Sequence, residues 1–184
     1  MCKRLLHHEG LYYPLGLGPH GLVSEALLLH MKSPAIHGAL NMIYRYGITE
    51  DEAYAQKVYP YLRGVADFWE KDLVCRDGVY HVVGDGMHER TDGNIRDNGV
   101  PENPVNTLGY LKTFFTWMPR ISEALDLDEK KREKWLEIAE NLAPYPKGTI
   151  REIQENPTLW KEVDVKLEDL LPEEMLDKEI YYDE

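Results

Sequence analysis

Cys2 and Cys75 are the only cysteines among 184 residues. Two cysteines build neither a disulfide framework nor a zinc site made of cysteine alone. Basic charge is scarce as well: 21 Lys and Arg stand against 33 Asp and Glu, for a formal charge of −12 and a pI near 5.0. Binding a phosphate backbone needs clustered Lys and Arg. The basic clusters here are Lys3-Arg4 and Lys130-Lys131-Arg132, and the second lies among acids on a helical pattern, where it reads as a solvated face. Nucleic acid is therefore disfavoured as a partner. The longest apolar run, around Ala26-Leu27-Leu28-Leu29, is far too short to span a bilayer. The opening MCKRLLHHEG has no apolar core of the signal-peptide kind. No membrane partner is expected, and the chain as given reads as cytoplasmic or as lacking its native start, with a secreted parent left open.

Several chemical motifs are missing too. No G-x-S-x-G elbow occurs, and no glycine loop of the phosphate-cradling kind precedes a helix, which disfavours serine hydrolysis and nucleotide chemistry. His7, His8, His20, His30, His37, His81 and His88 are scattered, with no HExxH pair on one helix face. Asp92 and Asn94 have the spacing of a calcium loop, but Arg96 occupies the next ligand position. Neither a metal nor a cofactor is expected.

What remains is a helical pattern. A 43% hydrophobic fraction supports a core, and the length favours one domain over residues 1–184. Ser33-Pro34 predicts a helix start, followed by Ile36, Leu40 and Ile43 on one face and a stop near Gly47. Thr49-Glu50-Asp51-Glu52 reads as a capping box opening a second helix. Its apolar face is Val58, Leu62, Val65, Phe68/Trp69 and Leu73, with a bend expected near Tyr59 because Pro60 interrupts the run. Asp77-Gly78 is a turn before a short strand spanning Val79 to Val83. Asn103-Pro104 repeats the cap-and-proline start, and Val105, Leu108, Leu111, Phe115, Met118, Ile121 and Leu125 form the next face. Asp128 is expected to cap a fourth helix, with Trp135, Ile138, Ala139 and Leu142 inward, and Gly148 to Gln154 reads as a short strand. Trp69 and Trp135 belong to the core by position. Two helix pairs separated by a β-like excursion and a polar loop make a mainly α chain of helical hairpins, with short β segments in the connecting loops.

That polar loop is HERTDGNIRDNGVPENP, residues 88–104. It carries Glu89, Asp92, Asp97 and Glu102, with Arg90 and Arg96 among them. Paired carboxylates about 5 to 9.5 Å apart can hydrolyse a glycosidic bond, and an acidic chain with tyrosine and tryptophan suits a neutral polar ligand. The competing reading is a solvated turn, for which Asp97-Asn98-Gly99 is a standard sequence. A general acid needs a raised pKa. The apolar stretch Val79–Val83 and Met87 offer a dry wall behind Glu89, which is expected on the cleft side with Arg90 turned away. Glu102, beside a helix start, suits a base or a cap better.

The stretch HGALNMIYRYGITEDEAYAQKVYPYLRGVADFWEKDL resembles a segment of the six-hairpin glycosidases, the (α/α)6 toroids, and is most similar to the family 95, α-L-fucosidase-like catalytic domains. The resemblance rests on Tyr59-Pro60 through Phe68, on Asp77, Gly78 and Tyr80, on EALDLDE (Ala124 to Asp128) and on LEIAENLAPYP (Leu136 to Pro146). It covers about residues 37–155. It implies an incomplete (α/α)6 toroid and hydrolysis of O-glycosidic bonds in a carbohydrate substrate. Glu89 would stand at the family's general acid, although MHERTDG departs from the S-P-E-N form, and Glu102-Asn103 competes for that place. His88, Arg90, Asp92, Asn94, Arg96 and Asn103 would bind substrate. A toroid closes with six hairpins and this chain patterns two, so an inactive fragment is expected, completed by the remainder of a barrel or by self-association. Two other readings stand beside it. A polysaccharide lyase would use His88, Arg90, Asn94 and Arg96, against a charge unsuited to an anionic polymer. A non-catalytic helical-hairpin protein would bind a partner through an exposed apolar face.

Overall fold

A computed structural model describes residues 9–13, 31–85, 102–155 and 169–181. Over these residues the chain is mainly helical. Helix α1 is Pro34–Thr49 and α2 is Glu52–Asp72. Strands β1 (Val74–Arg76) and β2 (Val79–His81) form an antiparallel pair around the Asp77-Gly78 turn. Helices α3 (Val105–Ala124) and α4 (Glu129–Glu140) follow. Last come β3 (Lys147–Thr149), the short α5 (Ile150–Glu155) and α6 (Glu173–Leu176), and β4 (Glu179–Tyr181), which pairs antiparallel with β3. None of the described helices is long and apolar enough to cross a membrane.

The predicted faces pack, except that Val105 at the start of α3 lies outside the core cluster and lines a surface cleft. Ile36, Leu40 and Ile43 of α1, Leu62, Val65, Phe68 and Trp69 of α2, and Leu108, Leu111, Phe115, Met118 and Ile121 of α3 are all buried in one cluster with Trp135 and Ile138 of α4. Two helical hairpins result, α1–α2 and α3–α4, and α3 also packs against α1 and α2. Polar side chains tie α2 to α4: Arg63 and the Tyr59 hydroxyl both donate to Asp128, Lys131 bonds Asp67 and Glu70, and Trp135 Nε1 donates to Glu70 at 2.7 Å. The stretch 9–13 lies on α2, where Leu11 N donates to Gly64 O at 2.7 Å and Tyr12 stacks on Phe68. Gly10 has φ +125°, and a Cβ there would fall 2.5 Å from the Phe68 backbone, so only glycine fits.

The element ends differ from the sequence expectations for local reasons. Helix α1 continues past Gly47, whose bare Cα accommodates the Trp117 ring, and ends where Glu50 turns left-handed at φ 49°. The cap of α2 is Asp51, which accepts from Tyr54 N at 3.0 Å, while the Thr49 hydroxyl bonds back to Arg45 O inside α1. Asp128 makes no cap bond, because its carboxylate is engaged by Tyr59 and Arg63. Strand β2 stops at His81, since the next peptide pairs with Asn103 instead. The stretch expected as a strand from Gly148 turns helical at Ile150. Both α2 and α3 continue as single helices across Pro60 and Pro119.

Candidate functional site

The chain leaves β2 and returns to α3 at a closed stem. Val83 and Glu102 form an antiparallel bridge, and Asn103 N donates to Val82 O at 2.8 Å. Asn103 sits at φ 54°, a left-handed conformation that asparagine tolerates better than most residues. Its side-chain oxygen accepts from Val82 N at 3.0 Å, and its amide nitrogen lies 3.1 Å from His81 Nδ1. Asn103 thus staples the stem, and Pro104 takes the position before α3. Glu102 forms a two-pronged pair with Arg76, at 2.9 Å for each bond. The guanidinium holds the Glu102 carboxyl below its ordinary range, so Glu102 is kept ionised and is unsuited to donate a proton. His88, Glu89, Arg90, Asp92, Asn94 and Arg96 lie outside the described residues.

Beside this stem, along α1 and α3, runs a cleft of about 430 Å³. Leu40 and Tyr44 line it from α1, and Val105, Asn106, Gly109, Tyr110 and Thr113 line it from α3. Tyr145 and Tyr181 complete it from the C-terminal side. Helical spacing explains the lining. Tyr44 lies off the Ile36/Leu40/Ile43 stripe and is half exposed, while Asn106, Tyr110 and Thr113 follow one another up the flank of α3. His37 stacks on Tyr110, with centroids 5.3 Å apart and planes within 8°. Tyr145 and Tyr181 meet edge to face at 5.8 Å. Gly109 keeps the floor open, since a Cβ there would meet nothing nearer than the Tyr145 hydroxyl at 4.0 Å.

Among the described lining residues no side chain bears a formal charge. The cleft offers flat aromatic faces, phenol hydroxyls, one amide and one threonine hydroxyl. Such a surface stacks on the apolar face of a ring and hydrogen-bonds hydroxyls at its edge. Sequence reading centred on the acidic loop and missed this cleft. A signal existed, in twelve tyrosines against three phenylalanines, because tyrosine is the aromatic that works at a half-wet surface. Among the described residues no group of His, Cys, Asp and Glu could hold a metal ion. No protein-family model matches the chain, and no curated protein matches it in sequence.

Proposed function

We propose that this chain is a carbohydrate-recognising helical-hairpin module of the glycoside hydrolase kind. The uncharged tyrosine cleft takes sugar rings, and Glu89 gives the proton to the leaving oxygen of an O-glycosidic bond. The cleft supports this reading most directly: four tyrosines with Asn106 and Thr113 around about 430 Å³ suit a neutral, hydroxyl-rich ligand. The sequence resemblance supports the hydrolytic step, and the ion pair with Arg76 removes Glu102 as the competing acid. Calorimetric titration with a panel of neutral oligosaccharides tests the binding. Tyr110→Ala is expected to weaken binding about 10-fold, the cost of about 1.4 kcal/mol of stacking. Uptake by no member of the panel would sink the proposal.

One observation favours a second reading, binding without hydrolysis. The cleft carries no carboxylate among its described lining residues, and hydrolysis needs two placed acids. Assays for released reducing ends separate the two. Glycosidase activity that Glu89→Gln lowers by about 10² to 10⁴-fold supports the enzyme. Saccharide binding with no turnover, in the chain alone and in a barrel completed by the missing hairpins alike, supports the binding module.

A further inference from the structure

Asp85 is fully buried, between the stem and the helices. Its Oδ1 accepts from the backbone N–H of Lys32 at 2.6 Å and its Oδ2 from the Thr107 hydroxyl at 2.6 Å. The backbone N–H of Ser33 also bonds it. Lys32 and Ser33 immediately precede α1, and Thr107 lies in the first turn of α3, so one carboxylate gathers the starts of two helices that flank the cleft. Among the described residues the charged groups near it are Lys32 and Asp72. Lys32 turns its ammonium to Asp72 of α2 at 2.8 Å and to Val83 O at 2.9 Å, and α3 presents the neutral Thr107.

Every named partner of Asp85 is a donor. An ionised carboxylate satisfies them all, since it only accepts. A protonated one must donate, and of these partners only the Thr107 oxygen can accept. We propose that Asp85 is a proton-operated latch between the starts of α1 and α3: ionised, it draws the Lys32 and Ser33 amides and the Thr107 hydroxyl to one point, and protonated, it reverses the Thr107 bond and slackens its hold on the amides. Burial supports a working range near neutrality, because it pushes the Asp85 carboxyl up to about 6 against the pull of its hydrogen bonds. The latch acts on the fold and is independent of what the cleft binds.

Amide NMR of the whole chain tests it. The Lys32 and Ser33 amide protons should move upfield together as the pH falls, with a midpoint near 6. Asp85→Asn keeps the shape and should abolish that titration at both amides. Amides that stay fixed between about pH 4.5 and about pH 7.5, or the same titration persisting in Asp85→Asn, would overturn the latch. Should Asp85→Asn fail to fold, Thr107→Val serves. Loss of a donor to the charged form should move the midpoint upward, and an unmoved midpoint would overturn the proposal.

Discussion

Trp69 and Trp135 are both fully buried, and their indole N–H groups are treated differently. Trp135 Nε1 donates to Glu70, whereas Trp69 Nε1 has no hydrogen-bond partner among the described residues. Removing the Trp135 donor gives up a bond to a charged acceptor, while removing an orphaned donor relieves a desolvation penalty of about 1–3 kcal/mol. Trp69→Phe should therefore cost less stability than Trp135→Phe in urea denaturation, despite equal loss of ring volume, and the reverse order would show that the Trp69 N–H has a partner. Asp85 yields a prediction with a definite sign. Burial penalises the charged Asp85 carboxyl more than its latch bonds return, raising it from 3.8 to about 6 in the fold, so its net contribution to stability is complete below its ordinary pKa and is lost as pH rises through 6. The folding equilibrium of the wild type, taken relative to Asp85→Asn, should fall on the order of 100-fold between about pH 4 and about pH 7. Denaturation curves that run parallel in pH would contradict the buried charge. Neither Asp85 nor the lone indole was legible in the sequence, because burial of a single polar group follows from packing between distant elements.

At the scale of elements, the sequence carried the helices and their inward faces, since a period of 3.6 survives in any single segment that packs one side. It carried the ends less well. Thr49 and Asp51 are both able caps, and Asp51 takes the role because Thr49 is still the last residue of α1. Asp128 looks like a cap until Tyr59 and Arg63 arrive from another helix. Pro60 predicts a bend, and α2 continues as one helix across it. A proline there leaves one carbonyl of the preceding turn without its N–H donor. Pro60 is exposed, so Pro60→Ala should raise stability by about 1–3 kcal/mol with no loss of packing. Pro119 is buried in α3, and Pro119→Ala gives up contacts as it gains the bond. A smaller gain at Pro119 than at Pro60, read as the difference in thermal midpoint, is the expected outcome. An equal or larger gain at Pro119 would contradict the packing described for α3.

Over the whole molecule, a chain of net charge −12 carries a cleft whose described lining has no charge. That contrast selects among ligands, because a chain at −12 repels polyanions and gives up little electrostatically in meeting a neutral one. The hairpin architecture was readable from the spacing of apolar residues. The cleft was not, because Tyr44, Tyr110, Tyr145 and Tyr181 come from separate elements and meet only when α1, α3 and the β3–β4 pair assemble. The acidic loop drew attention for its composition, and its described end, Glu102, has become a structural ion pair. The central claim is that the tyrosine cleft recognises a neutral saccharide, and the most direct measurement is calorimetric titration of the chain and of Tyr110→Ala with neutral and acidic oligosaccharides. Saturable binding of a neutral member is expected, weakened about 10-fold by the substitution and absent for acidic members. Binding that favours the acidic members, or that Tyr110→Ala leaves unchanged, would contradict it.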